Sequence, residues 1–77
     1  MNTIECFIGH FAEQFDDTDV SVFTAGTKFR DLEEWSSLIA LSIIAMVDEE
    51  YNVVLNANDM KAATTIGELF DIVKSKL

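Results

Sequence analysis

The chain opens with apolar residues at three- and four-residue spacings: Ile4, Phe7, Ile8, Phe11 and Phe15. That period predicts an amphipathic helix over roughly Thr3 to Phe15 with an aromatic inner face. Gly9 weakens it a little, and Asp16-Asp17-Thr18-Asp19 ends it. From Asp16 to Trp35 the helical period is lost. A connection of that length in a small domain carries function or is pinned by its own apolar residues. Val20, Val22, Phe23, Phe29, Leu32 and Trp35 are available as pins.

A second helix is predicted from about Ser37 to Tyr51, with Ser36 as its N-cap. Leu38, Leu41, Ile44 (or Ala45) and Val47 form the expected inner stripe. Ile39, Ile43 and Met46 leave the helix apolar around much of its circumference. Such a helix is either buried on several sides or presents an interaction face. Asn56 to Ala63 predicts a single short helical turn capped by Asn56 or Asn58. Thr65-Ile66-Gly67-Glu68 then has the form of a capping box. It opens a last helix whose Ile66, Leu69, Phe70 and Val73 point inward and whose Lys74 and Lys76 suit the helix dipole. No proline and only three glycines interrupt these patterns. The expected fold is all-α: one domain over residues 1–77, a small bundle of three main helices, one short helix and a long first loop.

At 77 residues the chain has room for one modest core. Its single cysteine, Cys6, excludes an intramolecular disulfide and fits a reducing compartment. The default place for Cys6 is a small buried position at the edge of the aromatic stripe. No basic stretch leads an apolar segment at the N-terminus, and the longest apolar run, Leu38 to Val47, is too short for a bilayer. The expectation is a soluble, cytoplasmic, monomeric protein.

Fourteen acids against five bases leave a net charge of −9. No Lys or Arg precedes Lys28, and none lies between Arg30 and Lys61. That field repels nucleic acid and anionic membranes, so the expected partners are proteins with basic patches.

The candidate chemistry is sparse. Asp17, Asp19 and Ser21 imitate the opening of a calcium loop, but its sixth and twelfth positions would be Val22 and Lys28, which excludes an EF-hand. His10 and Glu13 share a helix face, and two residues do not make a metal site. Catalysis by a serine needs a base, and nothing brings His10, the only histidine, to one. What remains is Ser36-Ser37 at the mouth of the second helix, where free N–H groups and the helix dipole favour a negative charge. Such a serine is suited to carrying a phosphate ester put on by another enzyme.

These residues resemble the acyl carrier proteins and the related peptidyl carrier domains. The family's mark is Asp-Ser-Leu at the start of the second helix, and Ser37-Leu38 matches its Ser-Leu pair. The likeness continues through Asp48-Glu49-Glu50, Tyr51, Val53 to Leu55 and Thr64-Thr65-Ile66, and so covers essentially the whole chain. The approach Leu32-Glu33-Glu34-Trp35 is similar to carriers that read Trp-Asp-Ser-Leu. The resemblance implies a carrier that is not itself an enzyme, with 4′-phosphopantetheine from coenzyme A attached to Ser37 by a phosphopantetheinyl transferase. Ser36 is the competing attachment site. The arm would carry acyl groups as thioesters to synthases, ligases or acyl-transfer enzymes of fatty-acid or specialised lipid and polyketide synthesis. The second helix would be the docking helix, through Ile39, Ser42, Ile43, Met46, Asp48 and Glu49. The alternatives are a peptidyl or aminoacyl carrier and an acidic interaction module of the same fold that is never modified. The chain departs from the family at Ser36, where the motif has Asp, and at Ile39 and Ser42, where many members carry acids.

Overall fold

The computed structural model describes residues 3–77. Four helices follow one another: α1 (Ile4–Ala12), α2 (Ser37–Tyr51), α3 (Ala57–Ala62) and α4 (Ile66–Ser75). The described residues contain no strand, only an isolated antiparallel bridge between Lys28 and Thr65. The expected small helical bundle is therefore the architecture observed. No helix among the described residues is long and apolar enough to cross a membrane.

Each helix begins where a side chain can take up a free backbone N–H. Thr3 caps α1 through the amide of Cys6, and Ser36 caps α2 through that of Ile39. Asn56 with Asp59, and Thr65 with Glu68, complete reciprocal capping boxes on α3 and α4. α2 ends at Asn52, whose left-handed backbone (φ 59°) stops the helix in the way asparagine tolerates.

The core is hydrophobic, with the Tyr51 hydroxyl as its one buried polar side-chain atom lacking a partner among the described residues. Phe7 and Phe11 of α1 meet Ile43, Met46, Val47 and Tyr51 of α2, and Ile66, Leu69, Phe70 and Val73 of α4 close the other side. Phe15, just past α1, joins them. Three positions differ from expectation: Cys6, Leu38 and Leu41. Cys6 is exposed, because it lies one residue ahead of the buried Phe7 and points away from it. On α2, Leu38 is 77% exposed and Leu41 61%, while Ile43, Met46 and Val47 are buried. The helix is rotated from the expected inner stripe, and Ile39, Ala40 and Ile44 pack half-buried along the core's edge.

The long connection lies flat on the bundle. Two single 3-10 turns, Val20–Val22 and Phe29–Asp31, give it its local shape. Phe23 and Phe29 are buried, and Leu32 and Trp35 pack against the core. Val20 and Val22 stay in solvent, so four of the six expected pins hold. The loop also reaches α4: the amides of Ile66 and Gly67 donate to the carbonyls of Thr27 and Ala25 at 3.1 and 2.9 Å. A Cβ on Gly67 would stand 3.1 Å from the Ala25 oxygen, so glycine is what lets the loop lie this close.

Truncating a pin should therefore unfold far more than a loop. Phe29→Ala is expected to lower stability by about 3–5 kcal/mol, and Val20→Ala by less than about 0.5 kcal/mol. Urea titrations that gave both variants similar midpoints would show that the loop is not anchored through Phe29.

Candidate attachment site at the start of the second helix

Three elements meet around Ser37. The first is the end of the long connection. The Glu34 carboxylate accepts from the Asp16 amide (2.9 Å), the Asp17 amide (3.0 Å) and the Thr18 hydroxyl (2.6 Å), tying the segment before α2 to the segment after α1. Trp35 is wedged between Phe15 and Phe29, with ring centroids 6.4 and 5.0 Å away. These contacts fix the backbone that delivers Ser36 and Ser37.

The second element is the helix start itself. Ser36 is extended (φ −155°, ψ 171°), and its Oγ accepts from the Ile39 amide at 3.2 Å. It is the cap. Ser37 is the first helical residue, exposed, with no hydrogen bond from its hydroxyl to any described residue. The two serines are thus separated by role. In addition, α1, α3 and α4 carry Glu5, Asp59 and Glu68 in their first turns, whereas the first turn of α2 has no acid at all. In a chain with fourteen acids, this helix start keeps its positive potential.

The third element is α3. Arg30 spans from the loop to its C-terminal end, its Nη1 donating to the carbonyls of Met60 (2.7 Å) and Ala63 (2.6 Å). Between α2, α3 and this arginine runs an open groove of about 430 Å³, with Ser37 on its wall. Trp35, Ala40, Leu41, Ile44, Ala57 and Met60 line it, along with Arg30 and Lys61.

The expected docking residues divide. Asp48 and Glu49 are exposed, and Ser42 is half-buried. Ile39 is half-buried against the core. Ile43 and Met46 are core residues, 0% and 6% exposed, and present nothing to a partner. Their places as surface apolar groups are taken by Leu38 and Leu41. That rotation was recoverable from the polar positions: Ser37, Asp48, Glu49 and Asn52 lie on one line along the helix with Leu41 and Ala45.

A second cleft, about 310 Å³, opens on the other side of α2 between Ser42, Ala45, Met46, Glu49 and Glu50 and the α1 residues His10, Glu13 and Gln14. His10 Nδ1 is 3.5 Å from Glu13 and its Nε2 is 3.8 Å from Glu50. His10 therefore lies beside the latter half of α2, away from Ser37. No group of three or more metal-ligating side chains assembles among the described residues. The Tyr51 hydroxyl is buried without a partner there, and burial, reinforced by Cys6 and Glu50, pushes its pKa up.

In comparisons with known proteins, no family model, no curated protein and no solved structure matches the chain.

Four carboxylates of this framework are held below the ordinary range: Glu34 chiefly by the Thr18 hydroxyl, Glu68 by the Thr64 and Thr65 amides, Asp59 by the Asn56 amide, and Asp19 by Ser21. A carboxyl whose folded pKa is depressed adds stability above its unfolded pKa and loses it as pH falls through the folded one. Thermal midpoints should therefore be level near neutrality and decline below about pH 5. Glu34→Ala should lower the neutral midpoint and shrink the acid-side decline. An unchanged decline would show that Glu34 does not hold the loop.

Proposed function

We propose that this chain is an acyl carrier protein, with Ser37 as the attachment site for 4′-phosphopantetheine. The observation that carries the reading is the state of Ser37. It is an exposed hydroxyl with no hydrogen bond to a described residue, at the start of the only one of the four helices without an acid in its first turn. An ester phosphate formed there would meet free N–H groups and the positive end of the helix dipole. Neighbouring Ser36 is already engaged as the cap, which favours Ser37 over it.

The residues present fit such a group. Ser37 would hold the phosphodiester taken from coenzyme A through a phosphopantetheinyl transferase. The arm would supply a terminal thiol for acyl groups carried as thioesters. Exposed Leu38 and Leu41, with Asp48 and Glu49 further along α2, offer partner enzymes an apolar patch followed by an acidic one. Partners with an apolar patch bordered by basic residues match that order. A long Glu34-tethered approach and a core of packed aromatic and aliphatic side chains would keep the attachment point fixed while the arm moves.

Ser36 in place of the family's aspartate favours a second reading, an acidic module of this shape that is never modified. One experiment separates the two. The protein is incubated with coenzyme A and a promiscuous phosphopantetheinyl transferase, and its intact mass and peptide map are recorded. A gain of one phosphopantetheine on Ser37 is expected, with none on Ser37→Ala. Ser36→Ala should still be modified while losing about 1 kcal/mol of stability with its cap. Modification that survives Ser37→Ala and vanishes in Ser36→Ala would move the site by one residue. No gain in the folded protein, beside a control carrier that is modified, would favour the unmodified module.

A further inference from the structure

Glu34 and Trp35 grip the turn after α1 as a pair. The Glu34 carboxylate accepts from the Asp16 and Asp17 amides at 2.9 and 3.0 Å and from the Thr18 hydroxyl at 2.6 Å. The Trp35 ring stacks on Phe15, with centroids 6.4 Å apart and planes inclined by 26°. Two consecutive residues therefore hold the stretch from Phe15 to Thr18 and close the long connection at its neck. The residue after this grip is the cap of α2, and the next is Ser37.

Packing does not require the polar half of the grip. The Asp16 and Asp17 amides lie at exposed positions, so water would satisfy them if Glu34 were absent. The carboxylate also stands in a stretch that already holds Asp16, Asp17 and Asp19, in a chain of net charge −9, and like-charge repulsion disfavours it there. What the three charge-assisted bonds supply is a single conformation for the segment that enters α2.

Resting on the reading of Ser37 as the attachment site, we infer that Glu34 is a positioning residue for its modification. The carboxylate latches the helix entry to the Asp16–Thr18 turn and so presents the serine hydroxyl to the modifying enzyme in one conformation. Loading breaks the pyrophosphate bond of coenzyme A, joins the phosphopantetheine phosphorus to Ser37 Oγ, and releases adenosine 3′,5′-bisphosphate and the hydroxyl proton. Glu34 touches none of these atoms and acts through the backbone of Trp35 and Ser36. An unlatched entry holds the competent conformation for only part of the time, and apparent affinity falls by that fraction while the chemical step is unchanged. The loss therefore belongs in KM and not in kcat.

Loading is followed with coenzyme A and a promiscuous phosphopantetheinyl transferase over a range of chain concentrations, at a temperature where circular dichroism shows every variant folded. Glu34→Ala should raise KM for the chain about fivefold or more at unchanged kcat. Glu34→Gln, which keeps an acceptor, should recover most of that loss. Glu33→Ala removes the neighbouring exposed acid and should leave KM unchanged. Thr18→Val should act in the same direction as Glu34→Ala, and adding it to Glu34→Ala should cost nothing more, because both remove one contact. A loss in kcat alone, an equal effect of Glu33→Ala, or additive effects of Glu34→Ala and Thr18→Val would each overturn the proposal. Hydrogen exchange measures the latch without any transferase. In Glu34→Ala the Asp16 and Asp17 amides should exchange about fivefold faster or more, while those of Ile43 to Glu50 keep their protection. Unchanged exchange would overturn the latch even where loading fails. Faster exchange in a chain whose unaltered form is never loaded would overturn the carrier reading instead, and the positioning role with it.

Discussion

The structure depends on one unbroken aromatic path. From Tyr51 at the end of α2, ring contacts run to Phe7 (5.8 Å), Phe11 (6.3 Å), Phe29 (5.6 Å) and Trp35 (5.0 Å), just ahead of the start of α2. The path therefore returns along the length of the second helix, roughly 22 Å. It passes from α1 into the long connection midway. A core of this size has few residues to spare, so the loop has to supply part of it. Large rings suit that task because each buries a large apolar area and tolerates tilted contact with its neighbours.

Anchoring the loop this way settles where its polar backbone goes. Its carbonyls at Ala25 and Thr27 take the first amides of α4, its Arg30 takes the last carbonyls of α3, and its Glu34 takes amides from the turn after α1. One segment thus closes three helix ends. The exception is α2. Its cap is a neutral hydroxyl on Ser36, where the carrier motif places a carboxylate, and the loop sends no acid to its first turn. The helix start is consequently the place where this framework leaves electrostatic capacity unused.

What could be read in advance follows from the range of each interaction. Caps are local, so Ser36 and the Thr65–Glu68 box were legible from three-residue spacings alone, and the cap of α3 was narrowed to Asn56 or Asn58, of which the fold uses Asn56. The faces of α1 and α4 were legible because their apolar residues lie on one side. α2 defeated that approach: Leu38, Leu41, Ile43 and Met46 are equally apolar, and the local sign of which face stays exposed lies in the polar positions Ser37, Asp48, Glu49 and Asn52 instead. The rotation that buries Ile43 and Met46 also brings Leu38 and Leu41 to the surface, so two of the six expected docking residues changed places with two members of the expected core stripe. The groove was not legible, because Arg30, Ser37 and Met60 become neighbours only through the fold. Ser37 itself was, since its helix-start position is a local property.

The two ends of α2 have a consequence for encounters in solution. A helix is stabilised by acids near its beginning and bases near its end, and here the first turn has neither acid nor compensation while the last carries Asp48, Glu49 and Glu50 with no base. Side-chain charge and peptide dipoles point the same way and add. α2 is thereby a compass needle: in the field of a partner with a basic surface it experiences a torque before any contact is made. The molecule arrives already turned, acidic end leading, and Ser37 trails at a fixed helix length behind.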